Sequence, residues 1–181
     1  MEISYSLSEE NYLNHQLFHA SESMIIRKRR FRSKYIFPLV YLLLGIFLYA
    51  VKSPVLGYIF GGLGIVWFFL YPFYETGAYV KQYKKLIKEN FSESINKTVN
   101  LTLDDTHLRL VEGVSEAKID YSEIKQIAEI PHEILIKISN GNTIIIPKNQ
   151  ISNLESVAKK LEEIADKLQI DYLDYSQWRW K

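Results

Sequence analysis

Two long stretches of this chain carry no charge at all, Tyr35 to Val51 and Ser53 to Tyr74, and only Lys52 stands between them. Few folds accept such runs. Crossing the hydrocarbon core of a bilayer takes about 20 apolar helical residues, with about 17 as the lower end. The second run has twenty-two residues and meets that length with room to spare. The first has seventeen, and Lys34 and Lys52 at its ends can extend their stems outward to keep their charges in water. The link "VKSP" has length only for a tight reversal, and Pro54 suits a first helical turn, where its missing N–H costs nothing. The expectation is a transmembrane helical hairpin over residues 35–74.

The cations orient it. Arg27, Lys28, Arg29, Arg30, Arg32 and Lys34 precede the first run, Lys81, Lys84, Lys85 and Lys88 follow the second, and the link holds Lys52 alone. Lys and Arg concentrate in cytoplasmic flanks, which predicts a multi-pass protein of the cell (inner or plasma) membrane with both termini cytoplasmic. A cleaved signal peptide would need an earlier apolar core and a small-residue cleavage site, and neither is evident. The formal net charge is only +1, and no aromatic-interleaved basic surface accompanies the run, so nucleic acid is not an expected partner. Anionic lipid headgroups are, through Arg27, Lys28, Arg29, Arg30, Arg32, Lys34, Lys84 and Lys85.

Within the runs, Gly57 and Gly61 have the small-xxx-small spacing that lets helices approach closely. Packing against Gly45 of the other helix and homodimerisation are the two readings. Neither run holds an ionisable side chain of the acidic, basic or histidine type, so no ion path through the hairpin is implied. Trp67, Tyr71 and Tyr74 fall where an aromatic belt meets the cytoplasmic interface.

The flanks read as soluble structure. Ile3, Tyr5 and Leu7 alternate with serines as in a strand, and Ser8 followed by Glu9 and Glu10 opens a helix with Leu13, Leu17 and Ala20 on one stripe. The second membrane helix continues through residues 75–97 as a basic juxtamembrane segment. From residue 98 the period changes to two. Val99, Leu101 and Leu103 turn at Asp104-Asp105 into Leu108 and Leu110; further strands flank Tyr121-Ser122, and Asn140-Gly141 suits a type I′ hairpin turn. Pro147 ends the last strand. Ser152-x-x-Glu155 reads as a capping box for a helix whose apolar side holds Leu154, Val157, Leu161, Ile164 and Leu168.

The fold class expected is therefore an α+β membrane protein: a two-helix transmembrane hairpin inserted into a small antiparallel β domain, pleckstrin-homology-like, with six or seven strands and a C-terminal helix. Its segments are 1–34 (strand, helix and basic membrane entry), 35–74, 75–97, 98–170 (the cytoplasmic β-rich domain) and 171–181 (an aromatic and basic tail). The opening "YSLSEENYLNHQLFHASES", the basic entry to two close spans, and "IDYSEIKQIAEIPHEILIKISNGNTIIIPKNQI" resemble the YcxB-like family of bacterial membrane proteins. Tyr121 and Ile124 match its strand entry, and Ile146, Pro147 and Lys148 its hairpin end. The resemblance implies a bacterial integral membrane protein and carries over no catalytic residue.

Chemistry is sparse. With no cysteine there are no disulfides, thiolate nucleophiles or Cys-ligated metals. His15 and His19 stand at i and i+4, a spacing that can bind a metal, but Gln16 occupies the position where a zinc-protease helix has its glutamate. They are weak metal candidates, with Glu22 or His132 as a third ligand. Asp104 and Asp105 fit turn formers better than paired catalytic carboxylates. No nucleophile elbow or phosphate-cradling glycine loop occurs outside the apolar runs. In the tail, Trp178, Arg179 and Trp180 suit either the headgroup layer or the underside of the β domain. The expected function is non-enzymatic and without cofactor: a membrane-held cytoplasmic binding or scaffold domain, with an anionic-lipid sensor as the alternative and a metal-dependent enzyme using His15 and His19 as a third. Expected partners are membrane lipids, a membrane or cytoplasmic protein, and a second copy.

Overall fold

A computed structural model describes residues 1–181. It is α+β and divides into two units: Met1–His15 with Lys84–Arg179, and Gln16–Tyr83 with Trp180–Lys181.

Alternation builds the sheets of the first unit. In β2 (Thr98–Leu103) Val99, Leu101 and Leu103 are buried and the residues between them are not. β1 (Glu2–Ser6), β2, β3 (His107–Glu112) and β4 (Ser115–Asp120) form one antiparallel sheet in that order, with Tyr5 opposite Val99 and Leu101 opposite Leu110. The second sheet has the order β7-β6-β5-β8. β5 (Ile124–Glu129), β6 (Glu133–Ile138) and β7 (Thr143–Pro147) are antiparallel, whereas β8 (Asp171–Asp174) runs parallel to β5. A short 3-10 turn, Tyr121–Glu123, separates β4 from β5, which are not hydrogen-bonded neighbours. Where β1 meets β7, Gln150 supplies a side chain in place of a strand. Its Oε1 accepts from the Ser6 N–H at 2.9 Å and its Nε2 donates to the Ser6 carbonyl at 2.8 Å. α5 (Leu154–Leu168) lays Val157, Leu161, Ile164 and Ala165 against β5 and β8. Leu101, Leu108, Ile127, Ile134, Ile136 and Ile146 complete a core in which each side chain contributes about 1.5–3 kcal/mol of burial.

Three local expectations are corrected. The β6–β7 loop is not a type I′ turn, because only Gly141 has a positive φ (+89°). Ile138 accepts from the Gly141 N–H and donates to the Asn142 carbonyl, a three-residue loop with glycine in the left-handed position. Asn140 serves it through its side chain, which accepts from the Asn142 N–H. The cap of α5 is Asn153 rather than Ser152, since a 3-10 turn over Lys148–Gln150 delays the helix by one residue. Finally, the strands number eight, and the eighth lies in the segment read as tail. Tyr172 and Leu173 are adjacent apolar residues, so no period-two signal marks it.

The second unit is helical; the start of the helix that enters it, as far as His15, and the end of the helix that leaves it, from Lys84, belong to the first unit. α1 (Glu9–Glu22) starts at a reciprocal cap in which Ser8 Oγ accepts from the Asn11 N–H and Asn11 Oδ1 accepts from the Ser8 N–H. Ser23 then caps α2 (Met24–Phe31), which continues through a π turn at Arg32–Ile36 into α3 (Phe37–Ala50). α4 (Pro54–Asn90) follows. The continuous helix Met24–Ala50 and α4 are each long and apolar enough to cross a membrane. Lys52, at φ 62°, makes the reversal between them; the Lys52 N–H bonds Tyr49 and the Ser53 N–H bonds Leu48, so the last carbonyls of α3 are satisfied.

The π turn has a local cause. Pro38 has no N–H and cannot continue an ordinary helical ladder. The Phe37 N–H reaches back five residues to Arg32, and the carbonyl of Ser33, whose π partner would be Pro38, accepts instead from Trp67 Nε1 at 3.0 Å. Glycines then set the helix spacing. A Cβ on Gly45 would lie 2.8 Å from the Gly61 nitrogen and 2.9 Å from the Gly57 oxygen, and one on Gly64 would lie 3.0 Å from the Pro38 oxygen. Gly64 belongs to this contact and was not marked by the small-xxx-small spacing.

Candidate functional site

The basic run lies on α2 and the π turn, so its cations fan out around a helix. Arg27, Lys28, Arg29 and Arg32 are exposed and Lys34 is half-buried, its Nζ 5.2 Å from the Tyr35 ring centre. One face joins cations to apolar groups: Ile25, Lys28, Arg29, Arg32, Ser33 and Phe37 line a single open hollow. Ile25 is 81% exposed and Phe37 53%. Lys84 and Lys85 are exposed further along α4, with Lys85 facing Glu89 at 3.7 Å.

Arg30 differs from its neighbours. Its Nε meets Glu75 Oε2 at 3.1 Å, and Glu75 is only 6% exposed. The other carboxylate oxygen accepts from the Tyr71 hydroxyl at 3.2 Å. The Arg30 guanidinium also lies over the Trp180 ring, 4.7 Å from its centre, and donates to the Lys181 carbonyl. Trp180 donates its indole N–H to the Thr76 carbonyl at 3.3 Å and meets Tyr79 edge-on. Arg30 and Trp180, two of the candidate headgroup residues, thus come together around a buried carboxylate. Trp178 is half-buried, its backbone N–H on the Tyr175 carbonyl, and Arg179 is exposed. Glu75 was missed in the sequence. Its signal is that the first charge after the second apolar run is acidic and stands ahead of the lysines Lys81, Lys84, Lys85 and Lys88.

The first unit holds a second buried carboxylate. Glu133, at the start of β6, is fully buried. Its Oε1 accepts from Asn11 Nδ2 at 2.8 Å and Asn14 Nδ2 at 3.1 Å, while Oε2 has no hydrogen-bond partner. Burial pushes its pKa above the ordinary carboxylate range, outweighing the two asparagine amides and His132, which pull it down. Asn11 therefore both caps α1 and ties it to β6. A third polar centre lies on β5. Glu129 bonds Lys148 Nζ at 2.6 Å and accepts from the Tyr172 hydroxyl at 3.0 Å, and burial followed by the Glu129 charge raises the tyrosine pKa.

The histidines do not assemble a metal centre. His15 and His19 stand one turn apart on α1, but no group of three or more His, Asp or Glu side chains converges to hold an ion. His132 uses its carbonyl to accept from the Lys148 N–H, and His107 meets Asp104 at 3.0 Å in the β2–β3 turn.

No curated protein matches the chain, and no solved structure does. The family model described as YcxB-like protein matches residues 103–159, from the end of β2 into α5, and over that segment the chain is similar to the YcxB-like family that its sequence resembles.

Proposed function

We propose that the chain is a two-span membrane protein that holds a small binding or scaffold domain at the cytoplasmic face and performs no catalysis. The observation that carries the membrane part is where the apolar side chains go. Only 11% of the most apolar stretch of each long helix is buried, and Leu43, Phe47, Ile59, Phe69 and Phe73 all point away from protein. A helix of a soluble domain hides such a stripe; this pair needs an apolar solvent. The cations of α2 and of the end of α4 then face the cytoplasm, and the Lys52 reversal lies on the far side.

The binding part rests on the β unit. Two sheets, β1-β2-β3-β4 and β7-β6-β5-β8, with α5 packed on the second, support a pleckstrin-homology-like reading in which the parallel β8 is an added strand. Its strand edges and the groove beside α5 are the natural contact surfaces. The test is extraction of the tagged protein from its native membrane in gentle detergent, with mass spectrometry of everything retained. A stoichiometric protein partner is the expected result; recovery with lipid alone counts against the scaffold.

A second reading has its own observation, the exposed mixed face of Ile25, Lys28, Arg29, Arg32 and Phe37. Apolar groups interleaved with cations suit the headgroup boundary of an anionic leaflet. Charge reversal at Lys28, Arg29 and Arg32 should abolish a preference for anionic vesicles and leave protein partners in place. Equal binding to neutral and anionic vesicles by the native chain would sink this reading.

A further inference from the structure

β8 is an unusual member of its sheet. It has four residues, none of them buried, and it supplies the only parallel pairing in the molecule. It is entered through Gln169, which sits in the left-handed region at φ 54° and ψ 42°. A non-glycine residue pays about 1 kcal/mol or more for that conformation. The neighbour it covers is of another kind. β5 carries Ile127 and Ala128, both buried, and without β8 its outer edge has no strand, because β4 does not pair with it. A well-made strand edge is thus covered by a short strand that buries no side chain.

What holds β8 is polar and specific. The Tyr172 hydroxyl donates to Glu129 Oε2, and the Tyr175 N–H donates to the Glu129 carbonyl at 2.7 Å. Glu129 is itself held by Lys148 Nζ at 2.6 Å, and two residues beyond the tyrosine Asp174 accepts from the Ser176 N–H at 2.7 Å, closing the turn that ends the strand. The edge therefore reads a tyrosine hydroxyl carried on an extended backbone.

The geometry points to the β5 edge as a strand-docking site for an extended, tyrosine-bearing peptide from another protein, with the chain's own Asp171–Asp174 as its resident, displaceable occupant. This deepens the binding-domain reading and rests on it. Main-chain hydrogen bonds to β5 supply affinity, and the Glu129–Lys148 pair supplies selectivity. The resident strand acts at an effective concentration on the order of millimolar, as any short tether does. A free peptide competes poorly against that; a partner concentrated at the same membrane competes well.

The experiment uses the full chain in mild detergent and a fluorescent peptide copying residues 169–177. Leu173→Pro in the protein removes a backbone donor from β8 and weakens the resident strand. The variant is expected to bind the peptide at least tenfold more tightly than the native chain, and replacing the peptide's tyrosine by phenylalanine to cost at least threefold. Equal affinity of native and variant chains, or equal binding of a scrambled peptide, overturns the proposal. Hydrogen exchange on the native chain is an independent check that does not depend on the variant's folding. Amides of Tyr172–Tyr175 should exchange at least tenfold faster than those of Ile134–Ile136, and equal protection would mean that β8 is an integral strand. A protein partner retained in the membrane extraction while the peptide fails to bind would overturn this edge and leave the scaffold standing.

Discussion

Glu133 and Glu75 are both buried carboxylates, and they are solved in opposite ways. Glu75 keeps a cation, Arg30; Glu133 has only the amides of Asn11 and Asn14 and one oxygen with nothing to accept from. Because burial raises the Glu133 pKa in the folded state, its stabilising contribution is fully present below the unfolded value, near 4.5, and is lost as pH rises through the folded one. Glu133→Gln should then stabilise the chain by about 1 kcal/mol or more at pH 7, since a buried unsatisfied charged group costs at least that much. It should make no difference below pH 4.5; denaturant melts at the two pH values decide it, and an equal effect at both would refute the account. Arg30→Ala should cost about 3 kcal/mol, the penalty of leaving a buried partner uncompensated, and adding Glu75→Gln should restore more than half of it. A double-mutant cycle in detergent that shows simple additivity would mean the pair is not coupled. Neither carboxylate was legible as a site in the sequence, because their partners are remote: Asn11 is 122 residues from Glu133, and Arg30 is 45 from Glu75.

Elements were legible where their own side chains enforce a period. The alternation in β2 and the stripe Val157–Leu161–Ile164 of α5 mark those segments whatever they pack against. β8 escaped because a parallel edge strand is held by backbone and by Glu129, neither of which leaves a pattern in its own four residues. The start of α5 moved by one residue because both Ser152 and Asn153 can cap, and the preceding turn chose between them. The glycines of the helix pair were half legible: spacing marked Gly57 and Gly61, but only the crossing of two backbones separates contact glycines from open ones. Gly45→Ala should therefore destabilise the helix pair by about 1–3 kcal/mol, as overpacking does, because the atoms it meets are backbone and cannot swing aside. Gly62→Ala, with nothing within 4 Å, should be neutral or mildly stabilising. Unfolding in a titration with SDS would compare them, and equal loss in both would mean that the crossing is not where stability resides.

For the molecule as a whole, charge asymmetry around the apolar runs carried the topological expectation, while the composition averaged it away to a mean hydropathy of -0.09. Reporter domains test the proposed arrangement: one fused beside Lys52 should be active only outside the cytoplasm, and one at residue 181 only inside. Replacing the six cations between Arg27 and Lys34 with glutamine should scramble both, and unchanged orientation would show that the run does not set topology. One feature of the β unit then acquires a meaning in time. β1 is made first, yet its partner β2 begins only at Thr98, on the other side of both long helices in the chain. At a synthesis rate of about 5–20 residues per second, β1 waits roughly 5–20 s with its edge open. In the proposed arrangement the two strands can meet only if the intervening chain has crossed the bilayer an even number of times. A hairpin that crosses once strands them in different compartments, where no sheet can close. Under that proposal the sheet counts crossings, and its completion marks a hairpin inserted to its end.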